Sequence, residues 1–237
     1  MRQARLIRAR QLTPSVRELT FDPGRDFSFE AGQWVSFRIP LGQGQEVARS
    51  YSIASAPNPD GLFDIAVTRV EDGPGSRTLH EAKEGESMGI SRAQGFFTLE
   101  ESELPRVPIV MVATGTGVSP FRSMLQQVSR TPSEVPQPVA LVLGVRTEAD
   151  LLYREEFEAL ERSLPGFEFL PTLSRGSEGW IGARGYVQEH LGGLVRRCGG
   201  DCAVYVCGLS KMVKHVRELL KGELALPKHR IHSERYD

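Results

Sequence analysis

Cysteine is scarce in this chain, and the three that occur, Cys198, Cys202 and Cys207, fall in one short stretch. They lack the four-cysteine C-x4-C-x2-C spacing that holds a plant-type iron–sulfur cluster, so no such module is expected here. Cys198 and Cys202 flank Gly199-Gly200-Asp201, with too few ligands around them to favour a metal site. No apolar run approaches the ~20 residues needed to cross a bilayer, and membrane insertion is not expected. The arginine-dotted N-terminus has no apolar core of the kind a signal peptide needs, which makes the cytoplasm the expected location. Net charge is nearly absent as well: 29 Lys+Arg against 30 Asp+Glu give −1, which removes any global attraction to nucleic acid or an anionic membrane. There is no internal repeat. The one biased stretch, residues 131–138 with three prolines, reads as a surface loop.

What is present is enough apolar sequence for a sizeable core: 40% hydrophobic residues in a chain of 237, a length that accommodates two domains. Residues 5–100 show short alternating strands, such as Val35, Phe37 and Ile39, then residues 50–54, then Phe63, Ile65 and Val67. Turn residues Pro14, Pro23, Gly24, Gly32, Pro40, Gly42 and Gly44 punctuate them, as suits a small antiparallel barrel. From about residue 107 the pattern changes to apolar strands at 109–113, 139–144, 167–170 and 204–206, separated by helical stretches. That alternation predicts a parallel sheet with helical crossovers. The acidic segment 101–108, with two prolines, is the natural linker. Domains are therefore expected at residues 1–104 and 105–237.

Several segments carry chemistry. In Arg49-Ser50-Tyr51-Ser52, strand alternation puts Arg49 and Tyr51 on one face and Ser50 and Ser52 on the other. An arginine matches a phosphate, a tyrosine ring can lie flat on a ring system, and a serine at a strand end can hydrogen-bond a ring edge. The set suits a flavin nucleotide, the alternative being an ordinary half-buried strand. Gly73-Pro74-Gly75-Ser76-Arg77-Thr78-Leu79 precedes a helix-like run, with Ser76 as the expected N-cap, and bare N–H groups at such a start attract a pyrophosphate. Ile109-Val110-Met111-Val112-Ala113 runs into Thr114-Gly115-Thr116-Gly117-Val118-Ser119-Pro120-Phe121-Arg122, a buried strand turning into a helix whose glycines admit a phosphate. It is not G-x-G-x-x-G. A further strand, Ala203-Val204-Tyr205-Val206, ends in Cys207-Gly208 and turns into a helix carrying Lys211 and Met212; Cys207 by itself reads equally as a small buried residue. The chain closes with Ile231-His232-Ser233-Glu234-Arg235-Tyr236-Asp237, where His229 and His232 are expected on a solvated or half-buried strand rather than on a metal.

These segments, in this order and over nearly the whole chain, resemble the ferredoxin–NADP reductase superfamily. There R-x-Y-S is followed by a glycine-rich phosphate turn, a nucleotide domain with G-T-G-x-x-P, a strand ending in Cys-Gly, and a final Glu-x-aromatic. The resemblance implies two domains: an N-terminal flavin-binding antiparallel β-barrel of Greek-key type and a C-terminal α/β parallel-sheet nucleotide-binding domain. It implies FAD held by Arg49, Ser50, Tyr51, Ser52, Val67, Thr68, Gly75, Ser76, Arg77, Thr78, Thr116 and Tyr236. It implies NADP held by Gly115, Thr116, Gly117, Pro120, Arg146, Ser174, Arg175, Arg184, Tyr186, Cys207, Gly208 and Met212. Ser52 and Cys207 would flank the reacting atoms, Glu234 would orient the nicotinamide or relay a proton, and Tyr236 would stack on the flavin and gate it. Asp237, one residue beyond the family's ending, bears on that stacking geometry.

The nicotinamide cofactor turns on a 2′-phosphate grip. Thr172-Leu173-Ser174-Arg175, followed by Trp180-Ile181-Gly182-Ala183-Arg184-Gly185-Tyr186-Val187, resembles the Ser-Arg and basic-x-Tyr of plant-type reductases, and favours NADPH. W-x-G-x-x-G-x-V also resembles NADH-using relatives, so NADH stays open. The implied activity is an oxidoreductase passing hydride from NADPH to FAD and electrons to a separate ferredoxin or flavodoxin, in a monomer. Arg2, Arg5, Arg8 and Arg10, with Lys211, Lys214 and Lys221, are candidates to dock an acidic partner, solvated surface charge being the alternative. The other readings are an oxygenase reductase component, a free-flavin reductase and a non-autonomous electron-transfer subunit. A subunit of the dihydroorotate dehydrogenase kind would carry a cysteine cluster after its Cys-Gly strand, and none follows Cys207.

Overall fold

The computed structural model describes residues 2–42, 44–71, 73–99, 107–130 and 138–236. The parts of the expected linker at 101–106 and of the proline-rich loop at 131–137, and the final Asp237, lie outside the described residues. The chain divides into two units: Met1–Thr98 with Ser119–Gln127, and Leu99–Val118 with Val128–Asp237.

In the first unit, β1 (Arg2–Thr13), β2 (Val16–Asp22), β3 (Trp34–Gly42), β4 (Gln45–Ser52), β5 (Phe63–Thr68) and β6 (Ser87–Ile90) form one antiparallel sheet in the order β4-β3-β6-β1-β2-β5. The edge strands β4 and β5 continue into each other's company through an Ile53–Ile65 bridge, which closes the sheet into a barrel. Period-two alternation explains the core: Val35, Phe37 and Ile39 of β3 point inward and are fully buried, while Arg38 points out. Phe21, Phe37 and Phe63 meet at the centre with ring centroids 4.9 to 6.3 Å apart. The short helix α1 (Pro74–Glu81) adds Leu79 to this core.

The structure corrects one expectation here. Ser76 is not the N-cap of α1. Gly73 is, because Pro74, with its fixed φ and missing N–H, takes the first helical position. Ser76 lies inside the first turn, its hydroxyl donating to the Gly73 carbonyl at 2.9 Å.

In the second unit, β7 (Ile109–Thr114), β8 (Val139–Val145), β9 (Phe167–Leu173), β10 (Ala183–Arg184), β11 (Ala203–Leu209) and β12 (Ile231–Tyr236) form a parallel sheet in the order β10-β9-β8-β7-β11-β12. Strands β8 to β10 extend from β7 on one side and β11 and β12 on the other. The carboxyl ends of β7 and β11 are therefore a topological switch point, where open α/β sheets leave a crevice. Helix α2 (Ser119–Val128) follows β7 through the single turn Gly115–Val118; α3 (Arg154–Ser163), α4 (Gln188–Arg197) and α5 (Ser210–Gly222) complete the set. By its contacts α2, apart from Val128, groups with the strands of the first unit.

Candidate functional site

In the first unit, β4 presents the expected constellation. Its register on β3 sets Tyr51 opposite Val35 and Ser52 opposite Trp34. Tyr51 is half-buried and stands edge-on to Phe37, at 5.9 Å and 77°. Burial pushes its phenol up to about 12, with the Arg49 charge opposing, so the ring stays neutral at working pH. Arg49 and Ser50 are exposed, and Ser52 is buried at the strand end. Gly75 explains how the strand and the phosphate turn meet: a Cβ there would stand 3.0 Å from Arg49 Cγ and 3.2 Å from Ile39 Cδ1. Helix α1 thus starts against the stem of Arg49. No side chain caps that start and no acidic residue lies in its first turn, which leaves its partial positive charge for an anion. Arg77 is exposed, Thr78 donates to the Pro74 carbonyl at 2.9 Å, and Val67 and Thr68 end β5 nearby in sequence, Val67 buried and Thr68 exposed.

In the second unit, the switch point gathers three residues singled out for catalysis. Cys207 is paired with Glu234 across β11 and β12, and Leu209 with Tyr236. Burial, and then the Glu234 charge, push the Cys207 thiol well above its ordinary range, while a side-chain hydrogen bond with Tyr236 works the other way. Cys207 is therefore a neutral thiol, able to sit beside a reacting carbon without attacking it. Tyr236 is not a frayed tail: it ends a paired strand and engages Cys207. Ser52 lies in the first unit.

The loop after β7 is shaped by two glycines in opposite ways. Gly117 is packed so closely on the backbone of Cys207 and Gly208 that a Cβ would stand 2.7 Å from the Cys207 carbonyl carbon and from Gly208 Cα. Gly115 has φ of +52° and nothing within 4 Å of where its Cβ would be. Beside them the Thr114 hydroxyl oxygen is buried without a hydrogen-bond partner among the described residues. Thr116 is half-buried, Pro120 sits in the first turn of α2, and Met212 in that of α5 has its Cε 2.9 Å from where a Gly208 Cβ would be. An orphaned hydroxyl, an open face at Gly115 and a helix start suit a phosphate-bearing nucleotide.

Farther along the sheet, Ser174 and Arg175 follow β9, their N–H groups bonded to the Val145 and Arg146 carbonyls at 3.1 and 2.8 Å. Arg146 and Arg175 are thus neighbours, both exposed, with no ion pair among the described residues. Tyr186 shows 67% of its surface. Arg184 is differently employed. Its guanidinium donates to the Gly176, Ser177 and Trp180 carbonyls at 3.0, 2.6 and 2.9 Å, which makes it the clamp of that turn. The neighbouring Glu148 carboxylate is held below its ordinary range chiefly by the Ser177 hydroxyl.

The arginines proposed for docking also find internal work. Arg2 bonds to the Pro23, Gly24, Arg25 and Asp26 carbonyls, and Arg5 lies 3.8 Å from Asp22. Arg10 lies 2.9 Å from Glu18, and Arg8 3.9 Å from it. Arg5, Arg8 and Arg10 are half-exposed partners of the barrel's own acids, and Arg2 holds backbone carbonyls. Among the described residues no cluster of three or more His, Cys, Asp or Glu is placed to hold a metal, and no helix is long and apolar enough to cross a membrane. Sequence patterns missed Glu18, Asp64 and Arg122, buried charges of the first unit. The one available signal was an arginine in the otherwise apolar start of α2, Pro120-Phe121-Arg122.

Comparison with known proteins finds two families along the chain. Residues 3–99 match the family described as oxidoreductase FAD-binding domain, and residues 111–218 the one described as oxidoreductase NAD-binding domain. The chain is 46% identical over 242 residues to Ferredoxin--NADP reductase B of Sorangium cellulosum (strain So ce56), covering 99% of this chain and 97% of that protein. It is 29% identical to the Phenol hydroxylase P5 protein of Acinetobacter pittii (strain PHEA-2), over 99% of this chain but 65% of that relative. The solved ferredoxin NADP+ reductase from Neisseria gonorrhoeae with bound FAD and NADP shares the fold, with a TM-score of 0.83 over 98% of this chain and 97% of that one at 23% identity.

Proposed function

The chain belongs to the ferredoxin–NADP reductase superfamily, and from that premise we propose that it is a reductase drawing on NADPH and serving a separate ferredoxin or flavodoxin. The observation that carries the reading is the meeting of Cys207, Glu234 and Tyr236 with the Gly117 loop at the switch point. When bound, FAD accepts a hydride from the nicotinamide and gives up electrons singly. The chain's own residues bind, orient and shield. Arg49 and the α1 start at Gly75 and Ser76 hold the pyrophosphate, Arg77 and Thr78 extend that grip, and the neutral ring of Tyr51 lies against the flavin. Ser50, Ser52, Val67 and Thr68 would line the same ligand, and Thr116 is a further candidate that the family resemblance supplies. Gly115, Gly117 and Pro120 shape the loop that takes the nicotinamide dinucleotide, with Gly208 and Met212 behind it. Cys207 would offer an uncharged thiol to the nicotinamide, Glu234 would orient its carboxamide or relay a proton, and Tyr236 would cover a flavin.

NADPH is favoured over NADH because Ser174, Arg175 and Arg146 offer a hydroxyl and two guanidiniums without ion pairs for a dianion, and Tyr186 an exposed ring for the adenine. Arg184, already bonded to three carbonyls, supports the turn that presents them. The protein acts in the cytoplasm as a monomer. A second reading, the reductase component of an oxygenase, is favoured by the likeness to the phenol hydroxylase component. Steady-state assays with NADPH and NADH against ferredoxin, flavodoxin and free flavin separate them. Arg175→Ala is expected to raise the KM for NADPH roughly tenfold and leave kcat and the NADH reaction nearly unchanged, since the contact is remote from the reacting atoms. Equal use of both nucleotides by the parent would remove the NADPH assignment.

A further inference from the structure

Three charged side chains that take no part in the scheme above meet inside the first unit. Glu18 of β2, Asp64 of β5 and Arg122 of α2 are 1%, 7% and 8% exposed. Arg122 Nη1 donates to the Ala54 carbonyl at 2.9 Å and lies 3.2 Å from Asp64 Oδ2 and 3.5 Å from Glu18 Oε2. The Thr20 hydroxyl donates to Asp64 at 2.6 Å, and Arg10 completes the cluster at Glu18. The same helix makes two more ties. Ser123 Oγ donates to the Ser55 carbonyl at 2.6 Å, and Gln126 Oε1 accepts the Ala56 N–H at 2.9 Å. Residues 54, 55 and 56 are therefore gripped one after another by α2. Only Ile53 separates them from Ser52.

Buried ion pairs of this kind are often no more stable than well-packed apolar groups of the same volume, so stability alone is a weak reason for the cluster. Its place in the chain suggests another reason: the gripped residues 54–56 continue the strand that ends at Ser52. We propose that Arg122 is a positioning residue that fixes this segment on α2 and, with it, the end of the strand that carries Ser52. This rests on the role given to Ser52 under the proposed function. Small displacements matter there, because misplacing reacting groups by about 1 Å can cost on the order of a hundredfold in rate.

The test compares the parent with Arg122→Lys, which keeps the charge but loses the planar fork, and with Arg122→Met combined with Glu18→Gln and Asp64→Asn, which removes all three charges together. Hydrogen exchange on the flavin-free chain is read first. Faster exchange is expected in residues 54–56, and unchanged protection there overturns the tie whatever the protein binds. On the flavin-loaded forms, the account expects NADP+ to bind within about threefold of the parent while kcat falls at least tenfold and the flavin difference spectrum induced by NADP+ shrinks. Folded, fully loaded variants with the parent's kcat and spectrum would overturn it, as would losses that only follow lost flavin. Should both variants fail to fold, Ser123→Ala with Gln126→Ala leaves the charges in place, and a kcat equal to the parent's would then overturn the proposal. A parent that binds neither flavin nor nucleotide, with the exchange effect intact, speaks against the proposed function and not against the tie.

Discussion

In the first unit the candidate ligand residues are held by side chains; in the second they are held by the backbone. Tyr51 rests on Phe37, Arg49 runs along Gly75, and the chain after Ser52 is gripped by Arg122, Ser123 and Gln126. Across the switch point, by contrast, Gly117 lies on the Cys207 and Gly208 backbone and the strand register alone sets Glu234 beside Cys207. The interiors differ in the same sense. The barrel unit buries Glu18, Asp64 and Arg122, whereas the core of the parallel sheet around Val110, Val112, Val204 and Val206 is apolar. A side-chain site tolerates repacking at some cost. The backbone contact at Gly117 leaves no room for an added atom.

Gly117→Ala should break this contrast most sharply. Its methyl meets backbone that cannot turn aside, so a loss of roughly 1–3 kcal/mol of stability is expected together with loss of nucleotide binding. Gly115→Ala is the control. With open space around it, only the left-handed backbone costs, about 1 kcal/mol, and nucleotide binding should still fall because the open face is where the ligand approaches. Denaturant titrations with nucleotide-binding measurements check both; equal stability losses would mean that the packing of Gly117 is not what sets the loop.

In the first unit, Arg49→Ala should weaken flavin retention by roughly 1.5–3 kcal/mol, the contribution of a charge-assisted hydrogen bond, and leave the fold intact. Flavin dissociation followed by fluorescence measures it. A variant that loses its fold along with its flavin would show that the Arg49 stem is needed for packing against Gly75.

The smallest effect concerns pH. His80 in α1 donates to the Val67 carbonyl at 2.8 Å, and burial chiefly lowers its pKa below 6.5. Below that pH the unfolded chain takes up a proton more readily than the folded one, so the His80 contribution is complete above about pH 6.5 and is lost as pH falls through the lowered value. His80→Gln, which keeps a donor for Val67, should flatten the stability difference between pH 7.5 and 5.5. An unchanged difference would assign it to other groups.

Both sheets were legible because period-two alternation in residues such as Val35, Phe37 and Ile39, and the unbroken apolar runs ending at Thr114 and Cys207, are local signals. The glycine turns were legible for the same reason. What could not be read depends on distant partners. The N-cap at Gly73 rather than Ser76 was decided by Pro74; the employment of Arg184 on three carbonyls and of Arg10 on Glu18 depends on how the intervening turns fold back, and that of Arg122 on Asp64 and Ala54 joins residues far apart in sequence. Nothing in the pattern around Glu18 or Asp64 marks them as buried.

The most direct measurement is of the purified chain itself, by visible absorbance before and after anaerobic addition of NADPH. The account predicts one FAD per chain, held noncovalently, with its long-wavelength band bleached by NADPH and restored when an oxidised ferredoxin or flavodoxin is supplied. A colourless protein that takes up no added flavin would contradict it at the root, and a flavin that binds but is not reduced by NADPH or NADH would contradict the role given to the Gly117 loop and Cys207.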